Sequence, residues 1–328
     1  FKGILFLASL LSVSSFENDN NDFKHFTNFQ EKFHKIYNTI EEFEMRFDIF
    51  RANLRSIILH NLDSRQNFTM GVNQFTDLTA EEFKTQFTGG LKTEVGSYGC
   101  GTFTSSASNA PVTIDWRKKN AVTSVKDQGQ CGSCWTFSST GSAEGAWAIS
   151  TGNLIDLSEE QLVECATGPQ YGSHGCNGGQ MEGAFKYLIQ NGQCSDASYP
   201  YTSGTGKSGS CKSCSKTAHF SSCSDVKPND QISLKGAVAQ QPVAVAIEAD
   251  TRYFQSYSGG ILDSPSCGTN LDHGVLVVGY GEENGEKYWL LKNSWSTSWG
   301  EQGYFRILRS DSTNDPGICG VAMDPSFI

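Results

Sequence analysis

Ten of the eleven cysteines in this 328-residue chain lie beyond residue 109, and the total is odd. Thiols at this density suggest an oxidising compartment, because a reducing cytosol would keep them free or give them to metals. The fold must then bring distant cysteines within bonding range, and an odd count leaves at least one thiol unpaired or paired outside the chain. A reactive cysteine is therefore worth seeking. With 38% hydrophobic and 12% aromatic residues, the chain can build a substantial core. A formal net charge of -10 argues against nucleic acid as a partner, since polyanions demand clustered Lys and Arg.

The N-terminus reads as a secretory signal over 1–15, its start truncated: Lys2 precedes the apolar run Ile4 to Leu11, and Val13 and Ser15 suit a signal peptidase. That run is too short to span a membrane, and no later charge-free segment approaches the needed length. From Asp22 to about Phe87 the sequence is charged, aromatic-rich and helix-patterned. Glu42, Arg46, Phe50, Asn53, Ile57 and Asn61 recur every three or four residues and share one helix face. A second short pattern, Gly71, Asn73, Phe75 and Asp77, follows it. The stretch Gly89 to Asn109, rich in Gly, Ser and Thr, reads as an exposed linker and places the main boundary near Asn109. The sequon Asn67-Phe68-Thr69 lies ahead of that boundary and says nothing about function.

Beyond Asn109 helical patterns come first, at Cys134 to about Ile149, Ser158 to Cys165 and Met181 to Gln190. Strand patterns follow at Val243 to Glu248, Gly274 to Tyr280, Tyr288 to Asn293 and Gly303 to Leu308. Helices before antiparallel-looking strands predict an α+β protein with a cleft between two subdomains.

Gln128-Gly129-Gln130-Cys131-Gly132-Ser133-Cys134-Trp135 is the strongest chemical signal. A free thiol titrates near pH 8.5, so a nucleophilic sulfur at mildly acidic pH needs a helix N-terminus or a neighbouring cation. Cys134 precedes a helical pattern, which supplies the first. His273 can supply the second as an imidazolium and later protonate a leaving amine. Asn293 can accept a hydrogen bond from the other ring nitrogen and fix the tautomer. Gln128 can join the Cys134 N–H in an oxyanion hole, a contribution of about 3 kcal/mol. Singly, these residues are more often a disulfide half, a satisfied core histidine and a turn amide; together, the catalytic reading prevails.

These blocks, with Leu271-Asp272-His273-Gly274 and Lys292-Asn293-Ser294-Trp295 through Trp299-Gly300, resemble the catalytic blocks of the papain family of cysteine proteases. The Glu42 to Asn61 stripe and the Gly71 to Asp77 pattern resemble the E-R-F-N-I-N and G-x-N-x-F-x-D motifs of cathepsin L-like inhibitory propeptides. The resemblance implies a papain-like fold with a helical left and a β-barrel-like right subdomain, preceded by a helical prodomain. It places propeptide and linker at 16–108 and the mature domain at 109–328, with a helical half over about 115–222 and a β-rich half over about 223–310. It implies endopeptidase activity, since no paired-His insertion of the cathepsin B type is present. Substrates would be peptides or proteins, with no cofactor and no metal.

By the same resemblance Trp295 covers the His273–Asn293 bond, Trp299 lines the leaving-group side, and Gly178 and Gly179 pair with the substrate backbone. Gln180, Met181, Ala246, Leu271, Gly274 and Asp324 fall where the family builds its S2 pocket. Two depart from the common pattern: Gln180 replaces a bulkier apolar residue, and Asp324 stands where an uncharged residue is frequent. Asp324 either pairs with a basic P2 side chain or is a solvated C-terminal charge. Ser296 replaces the Gly that usually follows N-S-W.

The resemblance implies the disulfides Cys131–Cys176, Cys165–Cys211 and Cys267–Cys319. Cys100, Cys194, Cys214 and Cys223 are left open, with Cys100 expected to depart with the propeptide and one further thiol stranded. Cys131-x-x-Cys134 and Cys211-x-x-Cys214 admit a rival zinc site, disfavoured by their separation. The expected partners are the chain's own propeptide as inhibitor, running opposite to a substrate until acid weakens contacts such as those of Asp77, and cystatin-type inhibitors. A monomer in the secretory pathway is expected, destined for a lysosome, an acidic vacuole or the exterior. Rival readings are a silent peptide-binding protein on the same fold and a transglutaminase-like transferase, which the propeptide motifs oppose.

Overall fold

Local capping sets the N-terminal helices. In a computed structural model that describes residues 21–88, 91 and 98–328, residues 21–33 form α1 and Ile40–Leu62 form α2. The expected signal peptide and part of the linker lie outside the described residues. Thr39 caps α2 by accepting from the Glu42 N–H, while the Glu42 carboxylate accepts from the Asn38 N–H. Phe26 and Phe29 of α1 pack on Phe50 and Leu54 of α2 in a small aromatic core of their own.

The stripe on α2 has a structural purpose. Phe50 and Ile57 are buried, while Arg46, Asn53 and Asn61 reach across to residues 70–78 and Glu42 serves the helix cap. Arg46 donates to the Asp77 carbonyl at 3.0 Å, Asn53 to those of Thr76 and Leu78 at 2.9 and 3.0 Å, and Asn61 to that of Met70 at 2.7 Å. Phe68–Met70 form strand β1. A capping box between Thr79 and Glu82 starts α3 (Ala80–Phe83), which continues as a π turn over Lys84–Thr88.

The body beyond has β2 (Gly101–Phe103), β3 (Ile114–Asp115), α4 (Cys134–Thr151), α5 (Glu159–Cys165) and α6 (Met181–Asn191). Then follow β4 (Ser224–Val226), α7 (Gln231–Val238), β5 (Val243–Ile247), α8 (Arg252–Gln255) and β6 (Tyr257–Leu262). The last elements are β7 (His273–Glu283), β8 (Glu286–Lys292), β9 (Tyr304–Leu308) and β10 (Pro325–Phe327). The three expected helices and four expected strands are all present.

The strands form an open sheet in the order β1-β6-β9-β8-β7-β5-β10-β4-β2, with β3 also on β7. The barrel-like half expected from resemblance is thus an unclosed sheet, both of whose end strands come from upstream of residue 109. α4 lies against β7 because Gly141 lets the backbone approach: a Cβ there would stand 2.6 Å from Leu276 Cδ2. Trp135, Met181, Leu188 and Ala246 share one core of the helical side, and Val277, Trp289, Trp295 and Phe305 another on the sheet side.

Five disulfides are present among the described residues. Cys131–Cys176, Cys165–Cys211 and Cys267–Cys319 pair as implied. Cys194 pairs with Cys214, and Cys100 with Cys223. The expectation that one thiol of this group stays stranded is corrected: the linker crosses back to the body, so Cys100 has a partner and Cys134 is the free cysteine.

Candidate active site

Cys134 is the first residue of α4, so the unsatisfied N–H groups of that helix face its sulfur. Ser133 does not cap the helix with its side chain; its hydroxyl is 2.7 Å from that of Tyr201. The first turn of α4 sits on the start of β7, where a Cβ on Gly274 would stand 3.2 Å from the Cys134 carbonyl oxygen. The absence of a side chain at Gly274 eases this close seat, and His273, the residue before it, is carried to the same place.

His273 Nε2 lies 2.8 Å from Asn293 Oδ1, which also accepts from the Ser294 N–H at 2.8 Å. An amide oxygen only accepts, so Nε2 carries the proton and Nδ1 is the basic nitrogen. Nδ1 is buried with no hydrogen-bond partner among the described residues. Trp295 stacks on the imidazole with centroids 4.5 Å apart, and Trp299 meets Trp295 edge-on at 5.2 Å. These rings keep water from the His273–Asn293 bond.

In this covered state both groups are driven neutral. Burial pushes the Cys134 thiol up to about 12, against the Gly274 N–H and reinforced by the Asp272 charge. Burial pulls the His273 imidazole down to about 4, against its bond to Asn293. The cover is the chain's own N-terminal segment. β1 pairs antiparallel with β6, Asn73 donates to the Gln255 carbonyl at 2.7 Å, and Phe75 and Phe83 stand edge-on to Trp295 at 5.4 and 5.2 Å.

Gln128 Nε2 donates to the Cys131 carbonyl at 3.0 Å and, at 3.4 Å, to that of Phe87 in the covering segment. Its Oε1 accepts from the Ser294 hydroxyl at 2.6 Å, which orients the amide. Leu91 pairs with Gly179 in a parallel bridge and packs against the cluster that holds Met181, Ala246 and Leu271. A Cβ on Gly179 would stand 2.7 Å from the Trp135 ring, so the wall is narrow as well as flat. Gly178 turns into it at φ 102°, and Gln180 is buried beside Ser173.

Asp324 is not a freely solvated charge. It is half-buried, and burial followed by the Asp225 charge raises its carboxyl above the usual range. Glu182, next to Met181, is raised by burial and then by Asp324. Sequence reasoning missed Glu182 and Asp225 as neighbours of Asp324, and missed Phe87, Leu91 and Ser294 as parts of the site. Only Ser294 lay within a motif that could have flagged it.

A two-subdomain α+β body whose cleft cysteine lies beneath its own helical N-terminal segment defines a papain-like fold carrying its own cover. Residues 110–328 match the papain family cysteine protease, and residues 26–83 the cathepsin propeptide inhibitor domain (I29). The chain is 44% identical to cysteine proteinase RD21A of Arabidopsis thaliana, over 88% of this chain and 62% of that protein. It is 43% identical to senescence-specific cysteine protease SAG39 of Oryza sativa subsp. japonica, over 89% of this chain and 86% of the relative. The chain spans 62% and 61% of the length of the two Arabidopsis proteinases RD21A and RD21B. Among solved structures, a recombinant stem bromelain precursor superposes with a TM-score of 0.85 at 37% identity, covering 94% of this chain and 98% of that one. Digestive procathepsin L 3 of Tenebrio molitor larval midgut gives 0.83 at 38% identity, covering 93% and 98%. The chain belongs to the papain family of cysteine proteases.

Proposed function

We propose that this chain is the zymogen of a cysteine endopeptidase in which Cys134 is nucleophile, His273 acid and base, Asn293 the positioning group and Gln128 an oxyanion donor. The observation that carries the reading is the Phe87 carbonyl on the Gln128 amide, 3.4 Å from Nε2, in a body whose one free thiol among the described residues is Cys134. A peptide carbonyl already rests where a scissile carbonyl would need a donor.

Removal of the cover admits water and substrate, which ends the desolvation that holds both groups neutral. The Cys134 proton then moves to His273 Nδ1, giving a thiolate at the mouth of α4 beside an imidazolium. The thiolate attacks the substrate carbonyl carbon, and the oxyanion is bound by Gln128 Nε2 and the Cys134 N–H. His273 donates its proton to the departing amine, leaving a thioester. Water attacks the thioester while His273 takes a proton, and the acid product leaves with the thiol restored.

The parallel bridge of Leu91 to Gly179 supports a propeptide running opposite to a substrate, with Leu91 in the place of a hydrophobic P2 side chain. Glu182 and Asp225 beside Asp324 favour shared protonation at acidic pH, so basic P2 residues would gain only as pH rises. The disulfides fit a secreted or vacuolar monomer, and family resemblance suggests cystatin-type inhibitors as partners.

The test is labelling of the acid-activated protein with an epoxide selective for activated thiols, followed by mapping of the modified residue. Modification of Cys134 and loss of autoprocessing in Cys134→Ala are expected. Label elsewhere, or processing that survives this substitution in isolated protein, would sink the proposal. For the pocket, an Arg/Leu P2 ratio unchanged by Asp324→Ala at neutral pH would remove the acid from specificity.

A further inference from the structure

Residues 84–109 fall between the two matched regions, 26–83 and 110–328, yet their described C-terminal part is built into the peptidase body. β2 pairs in parallel with β4 through Gly101–Ser224, Thr102–Asp225 and Phe103–Val226. The Gly101 N–H donates to the Cys223 carbonyl at 2.9 Å, and the Lys227 N–H to that of Phe103 at 3.0 Å. The Phe103 ring stands edge-on to Phe327 at 5.4 Å, and the Ser105 N–H donates to the Ser233 hydroxyl at 3.1 Å. Gly236 makes room for Ser105, since a Cβ there would stand 2.3 Å from Ser105 Oγ. Cys100–Cys223 closes this arrangement covalently.

None of these contacts involves the covering segment 21–88. They join residues 100–105 to β4, α7 and β10, all of which belong to the body that remains when the cleft is uncovered. A cut near Asn109 alone would leave the whole propeptide bonded through Cys100, and an inhibitor tethered at about millimolar effective concentration stays bound. Hydrolysis of a peptide bond consumes one water and leaves the S–S bond intact.

We propose that residues 98–108 are a permanent N-terminal arm of the mature peptidase, anchored by Cys100–Cys223, and that the cut which frees the cleft falls N-terminal to Cys100. The proposal rests on the zymogen reading above. It assigns a processing position ahead of the boundary near Asn109 expected from sequence.

The test is intact-mass analysis and N-terminal sequencing of the activated full chain, with free thiols alkylated before and after reduction. A parallel sample of Cys134→Ala is processed in trans by an added papain-family peptidase, so the arm is read even if the chain has no activity of its own. The expected product contains Cys100, begins upstream of it, and shows no alkylation of Cys223 before reduction. A mature chain beginning at 109 or later, with Cys223 alkylated and no peptide attached, overturns the proposal. So does a sole cut downstream of Cys100 that leaves the entire propeptide attached until reduction.

Discussion

Replacing Asp77 by Ala should open the cleft without touching it. Asp77 is 2% exposed, and its carboxylate accepts from Lys35 Nζ and from the Tyr37 hydroxyl, each at 2.9 Å. Its carbonyl receives Arg46, so two stretches of the propeptide, the Lys35–Tyr37 connection and α2, converge on one residue. Deleting one partner of a buried pair costs about 3–5 kcal/mol. Lys35 is 24% exposed and can turn to water, which puts the expected loss near the low end, at about 3 kcal/mol. A loss of about 3 kcal/mol raises the population of opened propeptide by roughly 10²-fold, because each 1.4 kcal/mol is tenfold. The assay is the rate at which a thiol-selective epoxide labels Cys134 in intact zymogen at neutral pH. If opening precedes labelling, the rate follows the open population and should rise by about two orders of magnitude, with Asp77→Asn between the two because it keeps the volume and can still meet Tyr37. A labelling rate in Asp77→Ala within about twofold of the parent chain would refute the argument that this residue holds the cover.

Other substitutions test the remaining parts. Gln128→Ala should lower kcat of the activated enzyme by about 10²–10³-fold with little change in KM; a loss below about threefold would remove Gln128 from the oxyanion hole. Lys126 Nζ stands 3.3 Å from Glu144, 2.7 Å from Glu159 and 2.5 Å from Asp156, and the first two carboxylates are 1% and 2% exposed. Lys126→Met removes the cation between them, leaving Glu144 only its bonds from Thr123 and Leu157, and should cost about 3 kcal/mol, seen as a melting point lowered by roughly 10 °C; an unchanged melting curve would contradict this. The hydrogen bond from Arg46 holds the Glu82 carboxyl below its ordinary value, so this pair stabilises the propeptide above the unfolded pKa and loses that contribution as pH falls through the lowered folded one. Glu82→Gln should therefore weaken the zymogen at neutral pH and flatten the pH dependence of its melting below about pH 4; an unaltered profile would assign acid loosening to other groups.

Much of the site was legible before any coordinates because its chemistry requires fixed residue types at fixed local spacings. The helix beginning at Cys134, the Gly274 that seats it and the Asn293-Ser294-Trp295 run are local patterns, and the α2 stripe shows its face by period alone. The sequence also limited the function class, since an odd cysteine count with acidic overall charge points to a thiol in an oxidising place. Partnership across long separations was not legible. Cys100 and Cys223 are 123 residues apart, and nothing in either neighbourhood selects the other. That choice depends on β2 lying beside β4 at the sheet edge.

The protonation state was likewise a tertiary outcome. Residue types alone suggest a thiolate and an imidazolium, but Trp295 stacked on His273, itself covered by Phe75 and Phe83, helps remove the water that would stabilise either charge. Asp324 illustrates the same limit: the sequence supplied a carboxylate, and only the fold buried it and set Asp225 near enough to raise its affinity for a proton. Local pattern determined which atoms this protein would use. Desolvation and the meeting of distant segments, which depend on every neighbour at once, decided their charge and their covalent partners.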